Sequence, residues 1–285
     1  MSLATGAGAA RTRRGGPASG VARQGRRLLF YLPAALVFVA AIVAWELIVG
    51  ALGLRAFVLP KPSAIVAALI ANWSDPRFGL AVSARATLLE AVGGLAIGTL
   101  AGVAVAFATS RWVTARGVLL PIAVAANAVP IVAFAPLMNN WFGVLSPLSK
   151  MMMAALLVFF PVMANVTRGL VQVEPAALEL MRSYGASEWT VLRKVRIPNA
   201  LPYFFTALKL ATTLSLIGAI VGEYFGGSSL VLGRIIVQSA SALRFDVTWA
   251  AILLGATAGI VLYLVVVALE RVFIPWHASV RSGES

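Results

Sequence analysis

The sequence predicts an all-α membrane protein that crosses the bilayer about six times. Of its 285 residues, 60% are hydrophobic and only 12% are charged, and the mean hydropathy is +0.92. That composition is too apolar for a water-soluble domain and is typical of polytopic membrane proteins. Apolar runs of about 20 residues, the length a helix needs to cross the hydrocarbon core, recur along the chain. The predicted spans are 28–50, 86–109, 114–137, 148–171, 203–225 and 248–272.

The third predicted span, 114–137, is the least regular, because Pro121, Pro130 and Pro136 interrupt it. A broken helix at membrane depth is tolerated only where it is buried in protein or lines a cavity. We therefore expect this segment to be shielded from lipid.

The first 27 residues are rich in Gly, Ala and Arg and predict a disordered basic N-terminus. The apolar run that follows is too long for the core of a typical signal peptide, so an uncleaved first span is expected. The transmembrane region then occupies 28–277, and a short tail covers 278–285.

The net charge of +13 could indicate a nucleic-acid partner, but its distribution along the chain argues against one. Fifteen basic residues fall on one predicted side: Arg11, Arg13, Arg14, Arg23, Arg26, Arg27, Arg111, Arg116, Arg168, Arg182, Arg193, Lys194, Arg196, Arg271 and Arg281. Seven fall on the other: Arg55, Lys61, Arg77, Arg85, Lys150, Arg234 and Arg244. The positive-inside rule therefore places both termini in the cytoplasm. The basic excess is a topology signal, with added attraction to anionic lipid headgroups of the bilayer.

The same rule places the polar segment 174–202 in the cytoplasm, and its sequence predicts two short helices. Pro175 suits the first position of a helix, where a missing N–H costs nothing. Gly185 suits the left-handed residue that ends a helix, and Ser187 can cap the next one. The Ile-Pro pair at 197–198 predicts that the second helix ends there.

The spacing in this segment resembles the cytoplasmic coupling loop of ABC importer permeases. That motif runs Glu-Ala-Ala, three residues, Gly, nine residues, then Ile-x-Leu-Pro, and Glu179, Gly185 and Pro198 stand at matching positions. The remaining motif positions carry apolar substitutes: Leu180, Met181, Val195 and Ile197. The alternative is an ordinary helical loop between spans. The resemblance implies that coupling to an ATPase rests on Glu179, Arg182, Gly185, Ala186, Ser187 and Pro198.

Other segments extend the resemblance over roughly 45–277: VLPKPSAIV, FAPLMNNWFG and the C-terminal PWH. They are similar to the permeases of sulfonate, taurine, nitrate and bicarbonate importers, a subfamily that includes thiamine-pyrimidine-precursor and riboflavin systems. The resemblance implies a type I ABC importer permease fold in the bacterial plasma membrane. It also implies a homodimer, two ATP-binding subunits that carry ATP and Mg, and an extracytoplasmic solute-binding protein.

The chain shows no catalytic machinery of its own. It lacks the G-x-x-x-x-G-K-[ST] phosphate loop, and no Ser/His/Asp or paired-carboxylate arrangement indicates an enzyme. There is no cysteine, and the one histidine, His277, has no second His or Cys partner, so a metal site is not expected. We therefore expect a non-catalytic subunit without a cofactor, so any ATP is hydrolysed on a partner.

Polar residues near the membrane are the candidates for a substrate pathway. They are Asn127, Asn139, Asn140, Trp141 and Glu223. The alternative for the Asn and Trp residues is an interfacial aromatic belt with turn-forming asparagines. Ionisable residues within spans normally face protein or water, and besides Glu223 they are Glu46, Glu90 and Lys209. A structural role is expected for Lys209.

Small residues recur every four positions in the second span, at Gly94, Gly98, Gly102 and Ala106. That spacing predicts one smooth helix face for close packing, and favours plain packing over a sliding surface.

The sequence leaves the transported solute open. A small oxyanion would call for a buried Arg, and no span carries one near its centre, which favours an uncharged or heterocyclic solute. The NNWFG and VGEYFGG segments resemble the vitamin-precursor branch of the subfamily. A permease for a small anion is the alternative. An ATP-independent transporter would more often show internal repeats and midplane ionisable residues, and a membrane scaffold would show no ATP-linked uptake.

Overall fold

The computed structural model describes residues 19–111, 117, 118, 121, 125 and 130–275. Within those ranges the chain is helical and contains no strand, which confirms the predicted all-α class. It forms two compact units, one ending at Leu54 and the other beginning at Arg55. The first unit is built on one long helix, α1 (Ser19–Ala51).

The second unit holds the remaining helices. They are α2 (Pro62–Ala71), α3 (Leu80–Arg111), α4 (Ala135–Phe142), α5 (Pro147–Val171), α6 (Pro175–Ser183), α7 (Glu188–Val191), α8 (Ile197–Phe225), α9 (Leu232–Ser241) and α10 (Phe245–Phe273). A 3₁₀ turn at Ile131–Phe134 precedes α4, and a π-helical segment at Leu192–Arg196 joins α7 to α8.

Five segments in the described ranges are long and apolar enough to cross a membrane. They are Leu32–Ala51, Leu80–Ser110, Pro147–Val171, Glu188–Phe225 and Phe245–Phe273. Five of the six predicted spans therefore coincide with helices. The other, 114–137, falls mostly on residues outside the described ranges and stays a prediction. Residues 1–18 and 276–285 also lie outside them, so disorder over 1–18 and the tail 278–285 stay predictions as well. Residues 19–27, which were also predicted to be disordered, form the first turns of α1.

The centre of the second unit is a close contact among α3, α5 and α8. A Cβ added at Gly94 would lie 2.4 Å from the Ala154 Cβ, and one at Gly98 would lie 2.5 Å from the Ala155 carbonyl oxygen. On the other side of α5, a Cβ at Gly218 of α8 would lie 2.6 Å from the Ala154 Cα. The predicted small-residue face of α3 is therefore confirmed as a packing surface.

The prediction that a helix ends at the Ile-Pro pair is wrong. The chain stays helical from Glu188 to Phe225, and Pro198 lies in the first turn of α8. The preceding π segment explains this, since its wider turn does not need the N–H that proline lacks. The segment 174–202 is thus joined directly to a membrane helix.

Candidate functional site

The turn between α6 and α7 is fixed by its own backbone. Gly185 has φ +62°, and its N–H donates to the Arg182 carbonyl at 2.9 Å, while the Ala186 N–H donates to the Met181 carbonyl at 3.0 Å. This pair of bonds around a left-handed glycine is a Schellman motif, which satisfies the last carbonyls of α6. The predicted left-handed conformation of Gly185 is confirmed. A Cβ at this position would meet nothing within 4 Å, so only the backbone requires glycine.

The start of α7 is capped as predicted. The Ser187 hydroxyl accepts from the Thr190 N–H at 3.3 Å and lies 2.9 Å from the Thr190 hydroxyl. Glu188 follows in the first turn, where a negative charge is favoured by the helix dipole. Two short helices therefore meet at a corner whose geometry is set by local hydrogen bonds.

The outer surface of this corner carries large apolar side chains. Tyr184 is 77% exposed and Trp189 is 67% exposed, and Leu180 is exposed beside them in the sequence. Among the predicted coupling residues, Glu179, Arg182, Gly185 and Ser187 are exposed, while Ala186 and Pro198 are partly buried. Exposed apolar groups rimmed by polar ones mark an interaction surface. Sequence reasoning missed Tyr184 and Trp189, although aromatic residues in a polar loop were a visible signal.

The start of α8 is tied to the end of α5 through one side chain. The Asn199 amide, in the first turn of α8, donates to the Gly169 carbonyl at 2.7 Å and to the Gln172 carbonyl at 2.9 Å. Gly169 lies at the end of α5, and a Cβ there would lie 2.7 Å from the Ala200 Cα of α8. The two membrane helices that flank the segment 174–202 are therefore held together where that segment begins and ends.

The structure gives Lys209 a partner. Its ammonium group donates to both carboxylate oxygens of Glu270, at 2.9 and 3.0 Å, and joins α8 to α10. The expected structural role of Lys209 is confirmed. Sequence reasoning did not identify Glu270, because its partner lies on a different helix.

A second set of polar groups lies around the turn between α4 and α5. The Asn139 side-chain oxygen accepts from the Ser149 hydroxyl at 2.6 Å and from the Lys150 ammonium at 3.5 Å. The Asn139 amide nitrogen donates to the Phe225 carbonyl at 3.3 Å. Asn139 therefore connects α4 to the start of α5 and to the end of α8.

Lys150 is a buried charged group of this set, with only 1% of its surface exposed. Its ammonium group donates to the Val144 carbonyl and lies 3.5 Å from the Ser146 carbonyl. Its aliphatic chain packs on Gly222 of α8, where an added Cβ would lie 3.2 Å from the Lys150 Cγ. The sequence analysis counted Lys150 among the basic residues of the outer side, at the start of the predicted span 148–171, and the structure places it buried in the first turn of α5.

Two carboxyl groups complete the set. Glu223 is fully buried, and its Oε2 accepts from the Gly233 N–H at 2.6 Å. Thr87 of α3 accepts from the adjacent Leu232 N–H at 3.0 Å, so side chains from α3 and α8 cap the start of α9. Glu90 lies one helical turn beyond Thr87 on α3, so both carboxyl groups flank the start of α9. Lys150 lies beside Glu223, since a Cβ at Gly227 would lie 3.6 Å from the Lys150 Cε and 4.0 Å from the Glu223 Cα. Sequence reasoning found no paired carboxylates, because these two belong to different spans.

The predicted pathway residues separate into distinct environments. Asn139 and Glu223 belong to the buried set just described, while Asn140 and Trp141 are exposed on α4. Asn127 lies outside the described residues. A pathway role for these residues stays a prediction. An apolar groove of about 590 Å³ also opens between α8, α9 and α10, and Tyr224 and Tyr263 are among its lining residues.

Comparison with known proteins adds a family to this geometry. Residues 94–277 match the family described as binding-protein-dependent transport system inner membrane component. The chain is 33% identical to a probable ABC transporter permease protein of Haemophilus influenzae, over 80% of this chain and 91% of that protein. It is 31% identical to the riboflavin transport system permease protein RibX of Chloroflexus aurantiacus, over 87% and 90% of the two chains. It is also 31% identical to the taurine transport system permease protein TauC of Escherichia coli, over 69% of this chain and 70% of that protein.

Proposed function

Because the chain belongs to the family of binding-protein-dependent transport system inner membrane components, we propose that it forms the path for a heterocyclic vitamin precursor in an ATP-driven importer. It is a multi-pass permease subunit of an ABC importer in the inner membrane. The observation that supports coupling to an ATP-binding subunit is the corner between α6 and α7, where a Schellman turn and a serine cap present exposed aromatic side chains beside the motif residues.

The corner is the docking point for an ATP-binding subunit. Its exposed Tyr184 and Trp189 are large enough to fill an apolar cleft on that subunit, and Glu179 and Arg182 offer charges at the rim. ATP and Mg belong to the partner, since this chain has no phosphate loop. This chain therefore couples transport to hydrolysis without catalysing it.

Coupling is mechanical in this proposal. When the ATP-binding subunits close, the corner moves with them, and the hydrogen bonds of Asn199 carry the movement to α5 and α8. The spans then change between inward-open and outward-open states. Differences in binding energy between the two states drive the cycle, as in other population shifts.

A second copy of the chain completes the path. The apolar spans of one chain are too few to enclose a pathway alone, so two permeases line it together. A binding protein delivers the solute from outside, and both termini face the cytoplasm, as the distribution of basic residues indicates.

Two features support a heterocyclic solute. A small oxyanion is normally bound by a desolvated cation. Lys150 and Lys209 already bind other groups of the protein, since Lys150 donates to carbonyl groups and Lys209 donates to Glu270. The second feature is the likeness to the riboflavin permease, which is 31% identical and is covered over 90% of its length. A sulfonate-type anion is the second candidate, because the taurine permease is as identical to this chain, at 31%.

The test is uptake into proteoliposomes that hold this chain with the ATP-binding subunits and binding protein of its own system. We expect ATP on the loop side of the membrane to drive accumulation of riboflavin or a thiamine pyrimidine precursor, with no accumulation of taurine. Accumulation of taurine would reject the heterocycle, and accumulation without ATP would reject the coupling mechanism.

A further inference from the structure

The carboxyl groups of Glu90 and Glu223 present a hydrogen-bonding problem inside the protein. Glu90 is only 5% exposed and Glu223 is fully buried. Glu223 Oε2 receives the Gly233 N–H, but Glu223 Oε1 and Glu90 Oε2 are buried and receive no donor from any residue that the structure describes. A buried acceptor left without a donor is destabilising, and more so when it is charged.

These two oxygens belong to carboxyl groups that flank the start of α9. Thr87, one turn before Glu90, accepts from the Leu232 N–H, and Glu223 accepts from the next N–H, that of Gly233. An ionised carboxylate only accepts hydrogen bonds, so two carboxylates cannot bond to one another. When one of them holds a proton, it gains an O–H donor, and the other supplies the acceptor. One proton therefore satisfies an oxygen on each side.

The charges around the pair also indicate that the two carboxyl groups hold one proton between them. Glu90 of α3 faces Glu223 of α8, and Lys150 of α5 is the cation close to both. The other contacts are neutral, namely the Thr87 hydroxyl of α3 and the N–H groups at the start of α9, which carry a partial positive charge. Two ionised carboxylates against one lysine would leave a net negative charge buried, which is strongly unfavourable.

We propose that Glu90 and Glu223 form a proton-binding site, in which a single proton is shared between the two carboxyl groups. Its ligand is one proton, and the bound state leaves one negative charge opposite the positive charge of Lys150. The O–H of one carboxyl group donates to the other, and Glu223 continues to accept from the Gly233 N–H at 2.6 Å.

The bound proton has a structural consequence. It joins α3 to α8 at the point where side chains of both helices cap α9. Without it, two adjacent carboxylates would repel each other in a poorly solvated environment. The site is therefore a latch that holds these three helices together while the proton is bound. This inference does not depend on the transported solute.

Infrared spectroscopy of the full chain in lipid nanodiscs tests the site directly. A protonated carboxylic acid has a C=O stretching band that is distinct from the bands of a carboxylate and shifts in D₂O. We expect such a band at neutral pH, and we expect it to shift when glutamate is labelled with ¹³C at the side-chain carboxyl. The band should disappear in Glu90→Gln and also in Glu223→Gln, because a shared proton requires both partners.

The matched control is Glu270→Gln, which replaces a buried carboxylate that already accepts two bonds from Lys209, so the band should persist. Absence of the band in the unmodified chain would overturn the proposal, as would its persistence in either Glu90→Gln or Glu223→Gln. If those two variants do not fold, Glu46, Glu270 and Glu284 are each replaced by Gln in separate variants. The remaining glutamates outside the pair, Glu174, Glu179 and Glu188, are exposed. The band must therefore survive in the Glu46, Glu270 and Glu284 variants, and its loss in any of them would overturn the proposal.

Discussion

Replacing Gly98 by alanine tests the packing that positions the membrane helices. The added Cβ would lie 2.5 Å from the Ala155 carbonyl oxygen, 2.8 Å from the Val158 Cβ and 3.0 Å from the Ala155 Cα. Non-bonded carbon atoms are most stable at about 3.5–4.0 Å, so α3 and α5 must separate by roughly 0.5–1 Å. Two of the three contacts are to backbone atoms, which cannot rotate away.

The magnitude follows from two opposing effects. Forcing an extra methyl group into a closely packed contact costs up to about 3 kcal/mol. Alanine is better than glycine in a helix interior by about 1 kcal/mol. The free energy of unfolding should therefore fall by about 2 kcal/mol, which lowers the melting temperature by roughly 4–8 °C for a chain of this size.

The matched control is Gly255→Ala in α10, where the new Cβ would lie 3.4 Å from the Ile220 Cδ1, an ordinary contact. This variant lacks the steric penalty, so its helix propensity should leave the melting temperature unchanged or raise it. Thermal unfolding of both variants in detergent measures the difference. If Gly98→Ala is as stable as Gly255→Ala, the close contact between α3 and α5 is not what holds the helices.

Three further predictions concern the loop, the ion pair and the nucleotide. Gly185→Val places a β-branched residue at φ +62°, which costs about 1–2 kcal/mol in the left-handed region, so the spans should still insert while uptake is uncoupled from ATP hydrolysis. A normal ratio of solute transported to ATP hydrolysed in that variant would remove the loop from the mechanism. Lys209→Met leaves the Glu270 carboxylate buried without its partner and should reduce the free energy of unfolding by about 3–5 kcal/mol. Adding Glu270→Leu should recover part of that loss, and thermal unfolding that shows no recovery would contradict the pairing. Finally, a photoreactive ATP analogue should not label the purified chain without its partner, and saturable labelling would show that this chain binds nucleotide itself.

Much of the corner between α6 and α7 could be predicted from the sequence, because its conformation depends on residues that are close together in the chain. Gly185 is needed where the backbone has a positive φ, and Ser187 caps a helix through a bond three residues away. Hydropathy located most of the spans for a similar reason, since each span must be apolar along its own length. The predicted helix end at Pro198 was wrong, because a π-helical segment leads into the proline and the chain stays helical through it.

The buried charges could not be predicted, because their partners come from other helices. Lys209 and Glu270 pair between α8 and α10, and Glu90 meets Glu223 only because α3 packs against α8. Lys150 binds carbonyl groups of the turn before α5. Because it stands at the beginning of an apolar run, the sequence alone suggested a residue at the outer membrane surface. Hydropathy indicates that an ionisable residue in a span is energetically unfavourable, but it does not identify the partner residue that stabilises it.

The accessibility of a cysteine at position 187 tests the central claim that this corner docks an ATP-binding subunit in the cytoplasm. The chain contains no cysteine, so Ser187→Cys introduces a unique thiol at an exposed position. We predict that impermeant thiol reagents fail to label it in intact cells, label it in inverted vesicles, and fail again when the ATP-binding subunits are bound. Ser74→Cys, on the opposite predicted side, should label in intact cells. Labelling of position 187 from outside the cell, or no protection by the bound subunits, would contradict the coupling role.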